Sequence, residues 1–212
     1  DGEGRMRQRG PDYVWTRALR TKDEALLAIN ELHNELSAQG LEWKIAISDS
    51  GGEFDGSDAD DLYRSLGMVH RPRASETHDE RAERAVRAVK NGIRAALLRA
   101  KAPPSTWTDA MLTVTAGLQT VVHAKHNVCA HAALFRQQPD LTAIAPFYSV
   151  VYAFDGTRKN TSWNPKGIPA RYLSPAPAYG VGSARVSVRG NPRVVRTVEY
   201  AGPPEAEIDA QS

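Results

Sequence analysis

The sequence predicts an α/β fold followed by a small all-β module. Three observations carry this expectation. Amphipathic helical periods alternate with short β-branched runs through about residue 138. A proline-free, cation-rich stretch over about residues 80–100 reads as one long helix. After Pro139, prolines and glycines punctuate four short apolar runs, the rhythm of a small β module. The expected organisation is a lead-in over 1–11, a core over 12–138, a small all-β module over 143–201 and a disordered tail over 202–212. The lead-in is polar and glycine-rich, and reads as disordered or as a cut through a longer polypeptide.

Each element follows from local pattern. Tyr13–Leu19 is aromatic and β-branched, which predicts a strand. Thr21 and Glu24 have the spacing of a capping box. The helix they open presents Leu26, Ile29, Leu32 and Leu36 at helical spacing and stops at Gly40. Trp43–Ile47 alternates as a strand that delivers Asp49 to its C-terminal edge, and Gly51-Gly52 supplies a tight turn. Asp58–Leu66 is a short helix closed by Gly67, and Met68–His70 a short strand. Arg71–Asp79 reads as a loop and Glu80 to about Ala100 as the long helix. Pro103-Pro104 breaks that helix, and a second runs from Thr106 or Trp107 to about His126. The four β runs are Phe147–Phe154, Gly167–Leu173, Ala184–Val188 and Arg193–Tyr200.

Composition narrows the function classes. Hydrophobic content of 41% and charged content of 25% match a globular protein. Net charge is only +2, so overall charge does not declare a nucleic-acid binder; the cations are concentrated in the long helix. One cysteine, Cys129, excludes an internal disulfide and fits a reducing compartment. No apolar run reaches membrane-spanning length, so no membrane partner is expected, and no signal-peptide pattern opens the chain.

Two carboxylates stand out. Asp49 ends a strand, and Glu83 begins the basic helix. Carboxylates on neighbouring elements beside a cationic helix point to a divalent-metal site that handles phosphodiesters. Read alone, Asp49 is better explained as a turn residue before Gly-Gly, and Glu83 has the alternative of a first-turn glutamate favoured by the helix dipole; the rest of the pattern favours the ligand reading of Asp49. Glu83, Arg87 and Lys90 fall at i, i+4 and i+7, hence on one face. They make either a phosphate-facing row with Arg84 or a plain surface ion pair. His123, His126, Cys129 and His131 read as residues at the end of a helix rather than as a zinc site.

In this order the residues resemble the integrase region of copia-type LTR retrotransposon polyproteins, from about Tyr13 to Tyr200. The matching pieces are Ser48-Asp49-Ser50-Gly51-Gly52-Glu53-Phe54, Gly67-Met68-Val69-His70, Ala82-Glu83-Arg84 with Arg87, and Ala100–Pro103 with Trp107. Gly167–Leu173 and Arg193–Val198 resemble the family's C-terminal module. The resemblance implies a ribonuclease-H-like core followed by a small Src-homology-3-like barrel. It implies catalytic and metal-binding roles for Asp49 and Glu83, with Mg2+ or Mn2+ as cofactor. It also implies DNA as partner, both element ends and target DNA, contacted by Arg84, Arg87 and Lys90. A homo-oligomer is compatible with it, as is a nuclear location for a working integrase.

The chain departs from the family's pattern in three ways. The family's first catalytic aspartate precedes the position matched by Trp15, where this sequence has only fourteen residues and no matching strand. Thirty-three residues separate Asp49 from Glu83, two fewer than usual, and Glu80-Arg81 replaces an Asn-Gly turn. The expectation is therefore an integrase-like polynucleotidyl transferase with an incomplete carboxylate triad, catalytically impaired. A non-catalytic nucleic-acid or partner-binding module, or a remnant of a decayed element, remains open.

Overall fold

The computed structural model describes residues 11–48, 54, 56–72, 80–154 and 167–200. They form a mixed α/β structure whose chain divides into two compact units, Arg17–Val86 and the remainder. The lead-in through residue 10, Asp49 with the Gly-Gly turn, residues 73–79 and the tail beyond Tyr200 lie outside the described residues.

The unit Arg17–Val86 opens with helix α1, Glu24–Ala38. Its end shows why Gly40 stops it. Gly40 sits at φ +72°, Leu41 N–H donates to the Leu36 carbonyl and Gly40 N–H to that of Ser37, a Schellman closure. Strand β1, Ile45–Ser48, then leads towards helix α2, Ser57–Ser65. Gly67, at φ +66°, closes α2 by the same two-bond pattern onto Arg64 and Tyr63. Strand β2, Val69–Pro72, runs parallel to β1 in the register Ile45↔Val69 through Ser48↔Pro72. One face of this pair buries Ala46 with Ala59, Tyr63 and Met68, against which Leu26, Ile29, Trp43 and Leu66 pack.

Helix α3, Glu80–Ala100, crosses from one unit to the other. In the second unit a 3-10 turn, Pro104–Thr106, precedes helix α4, Trp107–Thr120. Gly92 of α3 lies against Val114 of α4; a Cβ built on it would come within 2.6 Å of a Val114 methyl, so this approach requires glycine. Next come a hairpin of β3, Val122–His123, and β4, Val128–Cys129, then helix α5, Ala130–Phe135. The remaining strands are β5 (Val150–Phe154), β6 (Gly167–Pro175), β7 (Ala184–Val188), β8 (Asn191–Val195) and β9 (Val198–Tyr200).

These five form one antiparallel sheet in the order β8-β7-β6-β5-β9. The edge strands β8 and β9 are joined by Arg196 and Thr197 alone. Three Cα steps reach at most about 11 Å. Four strand spacings across a flat sheet need about 19 Å. The sheet must therefore curl. Its interior holds Val151, Tyr172 and Val186, all 0% exposed, with Ala145, Ala153, Ala170 and Ala184. Each large side chain buried there contributes about 1.5–3 kcal/mol. The Tyr172 hydroxyl donates to the Ala143 carbonyl at 2.8 Å, and burial raises this phenol above its ordinary value. Helix α4 is tied to β6 by Thr113, whose hydroxyl donates to the Leu173 carbonyl. Asp109, only 4% exposed, accepts from the Ser174 hydroxyl at 3.1 Å and lies 3.5 Å from the Arg185 guanidinium.

Four expectations need correction. Tyr13–Leu19 is not a strand. Its groups are spent on α4 and α5 instead: the Val14 carbonyl accepts from Gln119, Thr16 bonds Thr115, and the Tyr13 ring meets Phe135 edge-on. The Thr21–Glu24 box is not formed; α1 begins at Glu24, whose carboxylate accepts from the Arg20 N–H. Helix α4 ends at Thr120, where three successive β-branched residues meet an extended Val121. The run Arg193–Tyr200 splits into two strands because Arg196-Thr197 carries the chain between sheet edges.

Two outcomes follow from these contacts. Lys101 closes α3 in the left-handed region, φ 47°, with Ala102 N–H donating to Leu97 and Lys101 N–H to Leu98. Lys101→Gly is expected to raise stability by about 0.5–1 kcal/mol in urea denaturation, because glycine adopts this conformation without the Cβ penalty. The Thr142 hydroxyl and N–H, with help from Gly182, hold the Asp140 carboxyl below its ordinary 3.8. A depressed folded pKa gives stability that is fully present above that value and lost as pH falls through the folded one. Denaturation midpoints followed from about pH 5 to about pH 2 should fall less steeply for Asp140→Asn than for the wild type.

Candidate functional site

The parallel pair β1–β2 positions the site. With side chains alternating, Ala46 and Ser48 share a face with their register partners His70 and Pro72. The Ser48 hydroxyl and His70 Nε2 lie 2.8 Å apart, a hydrogen bond across the two strands. The His70 ring stacks on Tyr63 of α2, centroids 4.4 Å apart and planes 19° off parallel. Burial, and secondarily Asp60, raises the Tyr63 phenol above its ordinary value. The last residue of β1 is thus fastened through His70 to α2, immediately before Asp49 in the chain. The opposite face is open: Ile45, Ile47 and Val69 are exposed.

Asp49 itself lies outside the described residues, so its approach to Glu83 is not part of the described structure. Glu83 is exposed in the first turn of α3, beside Glu80 in sequence spacing, where the helix dipole favours a carboxylate. Arg84 is turned back on its own helix, its Nε donating to the Glu80 carbonyl at 2.9 Å. Arg87 and Lys90 are exposed. On an ideal helix Arg87 and Lys90 fall within about 60° of each other around the axis, and Glu83 lies between them in azimuth.

The histidine segment also takes shape. His123 and His126 bracket the β3–β4 turn, with ring centroids 5.2 Å apart. His131 instead rests on Phe135, and burial lowers its pKa. Cys129 is buried and caps α5, its Sγ accepting from the Ala132 N–H at 3.4 Å. Among the described residues, no three His, Cys, Asp or Glu side chains converge as a metal-holding group. No described helix is long and apolar enough to cross a membrane.

The Ser48–His70–Tyr63 contact is a feature sequence reading missed. Both Ser48 and His70 stand in quoted motifs, but their meeting depends on parallel pairing in one register. The alternation of Ala46 and Ser48 with Met68 and His70 was the available signal, and only the pairing makes it decisive.

No family model matches this chain. In sequence it is 30% identical over 103 residues to the retrovirus-related Pol polyprotein from transposon TNT 1-94 of Nicotiana tabacum, a match covering 47% of this chain and 8% of that polyprotein. The chain is thus related in part to a retrotransposon Pol polyprotein and spans a small fraction of its length. Among solved structures, a chain of the simian T-cell lymphotropic virus intasome in complex with PP2A regulatory subunit B56 gamma is similar over 89% of this chain and 67% of that one, at TM-score 0.46 and 15% identity.

The cross-strand bond can be weighed directly. A double-mutant cycle of Ser48→Ala and His70→Phe, read by urea denaturation, is expected to give a coupling energy of about 0.5–1.5 kcal/mol. A coupling indistinguishable from zero would remove His70 as the fastening of β1.

Proposed function

We propose that this chain carries a copia-type integrase-like site on a ribonuclease-H-like core, with the curled C-terminal sheet as its small barrel. The observation that carries the reading is β1. It is a parallel strand that ends at Ser48, directly before Asp49-Ser50-Gly51-Gly52-Glu53-Phe54, in a chain related to a retrotransposon Pol polyprotein. In open parallel arrangements, ligands bind beyond the carboxyl ends of the strands, which is where this motif begins.

In this reading Asp49 and Glu83 would hold Mg2+ or Mn2+. The chemistry of the donors fits: both are carboxylates, hard oxygen ligands suited to either ion, and Glu83 is exposed and available to one. When bound, such ions activate an attacking hydroxyl and stabilise a leaving oxygen on phosphorus. The chain's own residues do the positioning. Ser48 and His70 fix the end of the strand that precedes Asp49, and α3 presents Glu83 one helical turn before Arg87. Arg87 and Lys90, with Arg84 at the margin, face the DNA backbone. The segment between Asp49 and Glu83, two residues short of the family's usual length, bears on activity: a displacement of about 1 Å costs on the order of a hundredfold in rate. Strand transfer by this chain is therefore expected to be weak.

A non-catalytic nucleic-acid-binding module is the second reading. It is favoured by the concentration of cations on α3. The two readings separate on metal. Mn2+ binding, followed by the electron paramagnetic resonance signal of the free ion, should weaken at least about tenfold in Asp49→Asn and in Glu83→Gln, because each removes a shared ligand. Equal Mn2+ binding by the wild type and both variants would overturn the metal-site reading.

A further inference from the structure

Helix α4 ends at Thr120, so His123 and His126 are not spread along a helix. His123 is the last residue of β3, and His126 sits in the turn that leads to β4. The backbone fixes that turn. The His123 carbonyl accepts from the His126 N–H at 2.9 Å and from the Asn127 N–H at 2.8 Å. Asn127 adopts the left-handed conformation, φ 50°, which asparagine tolerates better than most residues. The two imidazoles are thereby held side by side, ring centres 5.2 Å apart and planes 48° apart. His123 is exposed and His126 half-buried, and among the described residues neither ring makes a hydrogen bond.

The spacing of the rings has a chemical meaning. A zinc–imidazole bond is about 2.05 Å long and the ring centre lies about 1.15 Å beyond the ligating nitrogen, so each centre stands about 3.2 Å from the ion. Two rings at the tetrahedral angle of about 109° then have centres about 5.2 Å apart. The right angle of a square-planar ion would bring them to about 4.5 Å. The observed separation is the tetrahedral one.

We propose that His123 and His126 bind one Zn2+ on the β3–β4 hairpin, each through one ring nitrogen. Among the described residues no third His, Cys, Asp or Glu joins them. Cys129 is spent on capping α5, and the His131 ring rests on Phe135. The remaining tetrahedral positions are left to water, which makes this an open, exchanging site rather than a closed structural one. The bound ion ties the end of β3 to the turn and braces the connection between α4 and α5. The site is chemically separate from the carboxylates. Imidazole nitrogen suits zinc, whereas Asp49 and Glu83 offer the hard oxygens that suit Mg2+ or Mn2+. The inference therefore does not rest on the integrase-like reading.

The test is a Zn2+ titration of the whole chain followed by the side-chain nitrogen resonances of its histidines, which read the site residue by residue. At about pH 7.5, above the ordinary imidazole range, one ring nitrogen of His123 and one of His126 should shift together, and those of His131 should stay in place. In His123→Gln the His126 shift, and in His126→Gln the His123 shift, should need at least about tenfold more Zn2+, because each variant keeps one of two protein ligands. Circular dichroism checks that each variant is folded, and the wild-type titration decides the matter even where one is not. Asp49→Asn and Glu83→Gln should leave the histidine shifts as in the wild type, so a failed carboxylate site and a failed imidazole site give different patterns. A shift of one ring alone, of neither ring, or of His131 along with the pair would overturn the site. So would an unchanged Zn2+ requirement in either histidine variant, or half-saturation of the wild type only above about 1 mM.

Discussion

The parallel pairing of β1 with β2 is the constraint on which the first unit depends. Its register places Ala46 in the small core with Tyr63 and Met68, and on the same face sets Ser48 against His70. A slip of one residue would turn every side chain of β1 over, exchanging Ala46 and Ser48 for the exposed Ile45 and Ile47. The chain then enters the Asp49 motif from an end held by one hydrogen bond and one ring stack. Two strands alone are marginal. What holds this pair is the packing of α1 and α2 on one face, through Leu26, Ile29, Ala59 and Tyr63.

The second unit rests on a different kind of constraint. Its sheet closes on itself because two residues must span from edge to edge, and Tyr172, Val151 and Val186 fill the space this creates. The hairpin joining β7 to β8 makes its turn with Arg189 and Gly190, both at positive φ, the conformation that matches the twist of the flanking strands. Helix α4 packs on β6, and the one buried carboxylate among its described contacts, Asp109, is satisfied by Ser174 and Arg185. Removing the arginine would leave that charge uncompensated in the interior, which costs more than losing the surface half of an exposed pair.

Much of this was legible in the sequence where a local cause sufficed. Gly40 and Gly67 marked helix ends because the left-handed residue of each closure has to be one that tolerates positive φ. Lys101 carries out the same closure without being a glycine, and the prolines after it marked the boundary instead. What was not legible depended on partners distant in sequence. Tyr13–Leu19 has strand-forming residues, but strand propensity reports pairing, and here the backbone serves Gln119 rather than a neighbouring strand. The division of Arg193–Tyr200 is invisible in a continuous β pattern, because it follows from sheet order. At the candidate site, the strand before Asp49 and the exposed start of α3 at Glu83 stand where the pattern placed them, whereas the Ser48–His70 fastening and the inward turn of Arg84 required coordinates.

The proposed metal site is a spatial one: a single ion would be shared between Asp49, which follows β1, and Glu83 in the first turn of α3. Paramagnetic broadening tests it without activity. With substoichiometric Mn2+ added to isotopically labelled protein, the backbone amides of Ser48 and Asp49 and those of Ala82–Arg84 should lose intensity together, at the same ion concentration, and recover together on chelation. Broadening at one of the two segments alone, or at neither, would contradict the shared site.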